Sequence, residues 1–314
     1  MIYVTQGHEK SIALEVFLKS YSVLDTHQQR AFTLVTNKAV LRNNLLALNI
    51  PHTFAENSVD YFNVHLTCSF IETSFKDYSY TLLSTLAAID LMDFKRDILI
   101  TLPSSKDQLV LNGRKFAGYT EFLRTFFAKP NAAMTFRSQK DFFLLLTDHI
   151  PLSSVPSEVS KELIHNKTVA VLENVTNFFP AITEVIFAGI NPHAGENGLL
   201  GTEDIIFSTV IQNLRQLYKN ISFAGPFAAD GLALGAFDGL HKLFVFSYHD
   251  QGLGMFKARN GFNGSNISFG LPFLRLSVDH GTAFDLYGKG SANYFGCLYT
   301  MTTAFTAHAR LTKT

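Results

Sequence analysis

The sequence predicts an α/β protein built on a largely parallel sheet, and three observations lead there. Short apolar runs alternate with longer segments whose apolar positions recur at helical period. Polar, glycine-containing clusters (NPHAGENG, YHDQG and VDHGTA) each follow directly on an apolar run, where parallel sheets bind their ligands. Hydrophobic residues make up 47% and charged residues 17% of 314 positions, the balance of a packed protein with two α/β domains or one large one.

In chain order, AFTLVT (31–36), DILITLP (97–103), TVAVLEN (168–174), EVIFAGINP (184–192), KLFVFSYH (242–249) and LPFLRLSVD (271–279) read as strands. SIALEVFLKSYSVL (11–24), TEFLRTFFAKP (120–130) and GTEDIIFSTVIQNLRQLYKN (201–220) read as helices. The stretch SSVPSEVSKE (153–162) reads as a short linker or as a loop entering a helix capped by Ser157 or Ser160. The run HKLFVF enters SYHDQGLGMFK (247–257), so a buried strand ends in His249, Asp250 and Gln251, then two glycines and Lys257. Such polar groups are costly at a strand end unless something binds there, and glycines would leave room for it.

Lysine plus arginine equals aspartate plus glutamate at 26 each, which removes the charge argument for a nucleic-acid or anionic-membrane partner. The two cysteines, Cys68 and Cys297, are far apart and form no CxxC, which argues against a thiolate zinc site or a disulfide framework. The first residues, MIYVTQGHEK, have no signal-peptide apolar core, and no apolar run reaches the roughly 18 residues of a membrane span. The expected location is cytoplasmic.

His149, His193 and His249 all lie at the ends of apolar runs. Each alone reads as a hydrogen-bonded structural histidine. Three at the strand ends of one sheet also suit a shared divalent metal acting as a Lewis acid. Lys257, Asn266 and Arg275 sit in a glycine-rich stretch that reads either as a solvated loop or as a clamp on phosphate or carboxylate. Asp230, in GPFAADG, would hold a substrate amine or cap the following helix, and for the residue alone the cap is favoured. No GxGxxG occurs, but SVDHGTAFDLYGKGSAN (277–293) offers a small-residue turn after a strand that could take part of a nucleotide.

Together, GINPHAGENGLLGTEDI (189–205), GPFAADGL (225–232), YHDQGLGMFK (248–257), NISFGLPFLRLSVDHGTAFDLYGKGSAN (266–293) and, more weakly, DILITLPSSKDQLVLNGRKFAGYTEFL (97–123) resemble the 4-hydroxythreonine-4-phosphate dehydrogenase family of vitamin B6 biosynthesis. The resemblance implies two α/β/α domains with a central cleft, like isocitrate and isopropylmalate dehydrogenases. The first would span 1–120 plus 275–314 and take the adenine side of NAD; the second, 121–274, would carry the metal and the dimer interface. It implies a homodimer with its site shared across the interface, NAD or NADP as cofactor, and a divalent metal, zinc first, with magnesium or cobalt as alternatives. It implies His149, His193 and His249 as metal ligands, and Tyr119, Thr120, Asp230, Lys257, Asn266 and Arg275 around the substrate. Lys257 is the implied proton-transfer residue and Asp230 its rival, while Asp279, His280, Gly281, Thr282 and Ala283 would meet the cofactor. The implied reaction oxidises 4-phosphohydroxy-L-threonine to 2-amino-3-oxo-4-(phosphooxy)butanoate, which loses CO₂ to give 3-amino-2-oxopropyl phosphate.

Two departures stand out. The family's GHTE motif is Gly118-Tyr119-Thr120-Glu121 here, and tyrosine is bulkier and neutral. The family's GDPAGIGPE turn is Gly7-His-Glu-Lys-Ser-Ile-Ala-Leu-Glu15, which keeps Gly7, Ile12 and Glu15 but not the proline or inner glycines. They leave two alternatives: a dehydrogenase of phosphothreonate or phosphoerythronate, or a ligand-binding homologue without catalysis.

Overall fold

A computed structural model describes residues 1–72, 78–233 and 241–312. The chain runs β1 (Ile2–Thr5), α1 (Ala13–Val23), α2 (Thr26–Gln29), β2 (Phe32–Thr36), α3 (Lys38–Ala47), β3 (His52–Phe54), β4 (Ser58–Tyr61), β5 (Val64–Phe70), α4 (Tyr80–Leu91), β6 (Ile98–Thr101), a small hairpin of β7 (Val110–Leu111) and β8 (Arg114–Lys115), and α5 (Tyr119–Phe126). It continues through β9 (Ala133–Arg137), β10 (Phe142–Leu145), α6 (Val155–Glu158), α7 (Lys161–Phe178), β11 (Glu184–Ala188), α8 (Ile205–Leu217), β12 (Ser222–Phe227), α9 (Ala229–Leu232), β13 (Lys242–Phe246), α10 (His249–Asn260) and β14 (Ser265–Phe269). It ends with β15 (Leu274–Val278) and α11 (Phe295–Leu311).

Its contacts divide into two compact units, Met1–Ala128 with Leu271–Thr314, and Lys129–Gly270. The divisions fall a few residues from the expected 120/121 and 274/275, because α5 and the turn before β15 pack with the first unit.

In the first unit the strands lie in the order β15-β6-β1-β2-β5-β4-β3, parallel as far as β5 and antiparallel beyond it. β1, β2, β6 and β15 are almost wholly buried, as strands covered on both faces must be. Both cysteines are free and buried in this unit, and burial pushes each thiol up to about 12. Residues of the divergent N-terminal turn have structural duties. Gly7 is left-handed (φ 68°), and a Cβ there would collide with the Pro103 carbonyl. The Ile12 amide donates to the Thr282 carbonyl at 3.1 Å. Buried Glu15 accepts from Lys19 Nζ (2.7 Å) and from the Ala292 amide (2.8 Å).

In the second unit β12-β11-β13-β10 are parallel neighbours, β9 is antiparallel to β10, and β14 is antiparallel to β9. A core of Met134, Phe136, Phe143, Leu145, Phe244, Phe246, Leu253 and Phe256 lies between this sheet and α10. The expected strand TVAVLEN is instead the middle of α7. Its buried positions, Ile164, Lys167, Thr168, Val171, Leu172, Val175 and Phe178, follow helical spacing, and Ser160 caps the start by accepting from the Leu163 amide. The apolar run is one stripe of a long helix, and a short window cannot tell the two apart. Ser160 is thus the cap expected in SSVPSEVSKE, and Ser157 lies inside α6.

One glycine of SYHDQGLGMFK also differs from expectation. Gly252 is buried on the inner side of α10, where a Cβ would stand 2.8 Å from Leu145 Cδ2 and 2.9 Å from Phe246 Cδ2. It lets the helix approach the sheet; Gly254 faces open space. Gly252→Ala is therefore expected to destabilise the protein by about 1–2 kcal/mol, overpacking outweighing the roughly 1 kcal/mol of helix propensity gained. An unchanged urea midpoint would contradict this packing role. Among the described residues no helix is long and apolar enough to cross a membrane.

Candidate active site

The parallel strands of the second unit deliver four of the expected site residues to one edge. Asp230 follows β12, His193 follows β11, His249 follows β13 and His149 follows β10, and these four strands are consecutive neighbours running the same way. The ladder continues past β10 and β13: the Leu146 amide donates to the Phe246 carbonyl (2.9 Å), and the Thr147 amide (3.2 Å) and hydroxyl (2.8 Å) both donate to the Ser247 carbonyl. This pairing carries two histidines up together, and the rings of His149 and His249 lie 5.6 Å apart between centroids.

His249 opens α10 and is half-buried, with its Nδ1 2.7 Å from Asp250 Oδ1. A carboxylate on one ring nitrogen fixes the imidazole and directs the other nitrogen outward, the usual arrangement behind a metal-ligating histidine. No side chain caps the start of α10, so the positive end of its dipole faces the same edge. That favours an anion or an electron-rich ligand there.

His193 is exposed on the loop between β11 and α8 and lines a cavity of about 380 Å³ with Glu196, Asn197, Asp204, Ser208 and Pro226. Five consecutive residues, His193 to Asn197, have left-handed backbone angles (φ 54°, 52°, 76°, 44° and 58°). Gly195 adopts this freely and Asn197 tolerates it; His193, Ala194 and Glu196 cost of order 1–2 kcal/mol each, strain that persists where surrounding structure imposes it. Among the described residues no three of His, Cys, Asp or Glu are grouped closely enough to hold a metal ion. The fit to a divalent cation is therefore partial within one chain: a paired His149–His249 with a carboxylate behind it, and His193 on the next strand end.

Lys257 and Asn266 lie elsewhere in this unit. Lys257 is exposed on α10, eight residues beyond His249, or about 12 Å along the helix axis. Asn266 pairs in register with Phe136, whose row faces α10. Asp230 stands exposed in the first turn of α9, where Ala228 is the N-cap and no side chain caps the helix. The capping role favoured for Asp230 is thus not observed, because the helix begins one residue before it and the N-cap is Ala228.

The remaining candidates lie in the first unit. Arg275, in β15, is 3% exposed; its Nε and Nη2 donate to Thr101 Oγ1 at 3.0 and 2.6 Å, and its guanidinium lies 5.5 Å from the Tyr119 ring centroid. Burial pulls its pKa down to about 10, so it stays charged at neutral pH. Tyr119 points inward at the start of α5. Burial raises its phenol, while the Thr5 and Thr85 hydroxyls and the Arg275 charge work the other way. Thr120 is buried beside it. The Asp279–Ala283 segment follows β15; His280 Nδ1 lies 3.1 Å from the Gly281 carbonyl, Gly281 opens onto free space, and Ala283 is left-handed (φ 41°). Two residues sequence reasoning left without a role, Gln251 and Asp204, hold the edge together. Gln251 Oε1 accepts from the Ser247 amide (2.8 Å) and its Nε2 donates to the Gly189 carbonyl (2.7 Å). Asp204 accepts from the amides of Ile190 (2.6 Å) and Asn191 (3.2 Å).

The fold is that of an α/β protein with polar residues gathered at the ends of its parallel strands, where such folds bind their ligands. The chain belongs to the family described as pyridoxal phosphate biosynthetic protein PdxA, whose model matches residues 14–304. It is 30% identical to the 4-hydroxythreonine-4-phosphate dehydrogenase of Sulfurimonas denitrificans over 99% of this chain and 98% of that one. It is 38% identical to the D-threonate 4-phosphate dehydrogenase of Bordetella bronchiseptica, over 62% of this chain and 56% of that one. Among solved structures, 4-hydroxythreonine-4-phosphate dehydrogenase from Klebsiella pneumoniae superimposes with a TM-score of 0.79 at 25% identity, covering 98% of this chain and 99% of that one.

Proposed function

We propose that this protein is a dehydrogenase that oxidises 4-phosphohydroxy-L-threonine to 2-amino-3-oxo-4-(phosphooxy)butanoate, which decarboxylates to 3-amino-2-oxopropyl phosphate in vitamin B6 biosynthesis. The observation that carries the reading is the delivery of Asp230, His193, His249 and His149 by four consecutive parallel strands to one edge. Bound NAD or NADP would accept the substrate's hydride, and a divalent cation, zinc before magnesium or cobalt, would acidify the reacting hydroxyl and favour the enolate left by decarboxylation.

The chain's own residues bind, orient and move the proton. In a homodimer whose site is shared across the interface, His149, His193 and His249 would hold the cation. Asp250 keeps the His249 ring turned toward it. The hydroxyl proton passes to Lys257 or to its rival Asp230; Asp230 stands at the histidine edge, while Lys257, about two turns along α10, would reach the hydroxyl only in a site shared across the homodimer. Arg275, charged and fixed by Thr101, binds an anionic end of the substrate, with Asn266 and Thr120 as further contacts. Asp279 to Ala283 meet the cofactor, and open Gly281 allows close approach.

A second reading, oxidation of a phosphothreonate, is supported by the relative named for that activity and by Tyr119, whose bulk fills space beside Arg275. The test is a substrate panel under NADH absorbance. The first reading expects turnover with 4-phosphohydroxy-L-threonine at least about tenfold faster than with D-threonate 4-phosphate, which carries a hydroxyl where the first substrate has an amine; about tenfold is the low end of what a pocket discriminates between close analogues. The reverse order would establish the second reading.

A further inference from the structure

We propose that Asp204 and Gln251 are positioning residues that brace the left-handed His193 segment against the turn carrying His249. The inference rests on the reading of His193 as a ligand. The loop after β11 is clamped at three successive residues. Gly189 donates its amide to the Phe227 carbonyl (2.8 Å), and its own carbonyl accepts from Gln251 Nε2 (2.7 Å). Ile190 and Asn191 both donate their amides to Asp204, and Asn191 Nδ2 donates to Asp204 Oδ2 at 3.0 Å.

The Asp204 carboxylate is 3% exposed and accepts all three of these bonds. It fits only because its neighbours lack side chains: a Cβ on Gly189 would stand 2.7 Å from Oδ1, and one on Gly195 3.1 Å from Oδ2. Gly195 is the middle of the left-handed run, so the carboxylate lies beneath the turn that presents His193. Gln251 joins that loop to the other histidines. It lies two residues after His249, accepts from the Ser247 amide and reaches across to Gly189. A buried carboxylate accepting amide bonds and an amide bridging two loops are the means by which a protein holds an otherwise unfavourable backbone. The brace therefore sets where His193 stands relative to the His149–His249 pair.

The test uses the full-length protein. Asp204→Asn keeps the size but turns a donor toward an amide, and Gln251→Met keeps the length but removes the link to Gly189. Amide exchange over 189–200 is expected to rise about tenfold or more in Asp204→Asn, and less in Gln251→Met, with α7 and β10 unchanged. Zn²⁺ affinity, read by competition with a chromophoric chelator, is expected to fall about 10- to 100-fold. Wild-type exchange and wild-type Zn²⁺ affinity in both variants would overturn the brace. If Asp204→Asn does not fold, Gln251→Met alone decides, on the same two readouts. Faster exchange with unchanged Zn²⁺ affinity supports the brace but removes His193 as a ligand, and His193→Ala then also leaves Zn²⁺ affinity unchanged.

Discussion

His249→Ala is expected to lose Zn²⁺ binding and to lower turnover about a thousandfold or more. His249 is the central member of the edge: β13 lies between β10 and β11, so the strands bearing His149 and His193 flank it on either side. It has a carboxylate on Nδ1 and the His149 ring 5.6 Å away. Removing it takes one imidazole from the pair and leaves Asp250 without its partner. A Lewis acid contributes several kcal/mol to a reaction of this kind, and about 4 kcal/mol is a thousandfold in rate. The substitution should cost little stability, because the His249 side chain is 32% exposed. Full activity with Zn²⁺ bound as in the wild type would remove the metal mechanism. Activity lost together with the folded state would mean the ring's role is structural.

Arg275→Lys is the second large effect. The guanidinium donates through two nitrogens to one hydroxyl and lies against the Tyr119 ring, which a single ammonium cannot reproduce. If Arg275 holds an anionic end of the substrate, the loss of a planar fork at a buried site should raise KM about a hundredfold with a smaller change in kcat. That corresponds to about 3 kcal/mol, the upper range for a hydrogen bond to a charged group. A lower melting temperature with an unchanged KM would assign Arg275 to the core of the first unit instead.

Much of the edge was legible because polar residues at the end of an apolar run leave a mark. EVIFAGINPH and KLFVFSYH each place a histidine just past a buried strand, and β11 and β13 lie where those runs predict. TVAVLEN misled because a buried stripe of a long helix, read in a short window, resembles a buried strand. Gly252 was read as room for a ligand because glycine spacing does not say which side of a helix faces a sheet. The left-handed run at His193 was not legible, since only one of its five residues is glycine, and the Asp204 bonds to Ile190 and Asn191 beside it join residues 14 and 13 positions apart. Gly7 and Glu15, two of the three residues kept in the altered N-terminal turn, make distant structural contacts, with Pro103 and Ala292. Long-range contacts of this kind leave no local pattern in sequence.

The most direct test is NADH formation by the purified protein with 4-phosphohydroxy-L-threonine and NAD, before and after a chelator, then with Zn²⁺, Mg²⁺ or Co²⁺ restored. The account predicts turnover that the chelator abolishes and a divalent ion restores. Turnover that survives complete metal removal, or none with any ion from a folded protein that does oxidise D-threonate 4-phosphate, would contradict it.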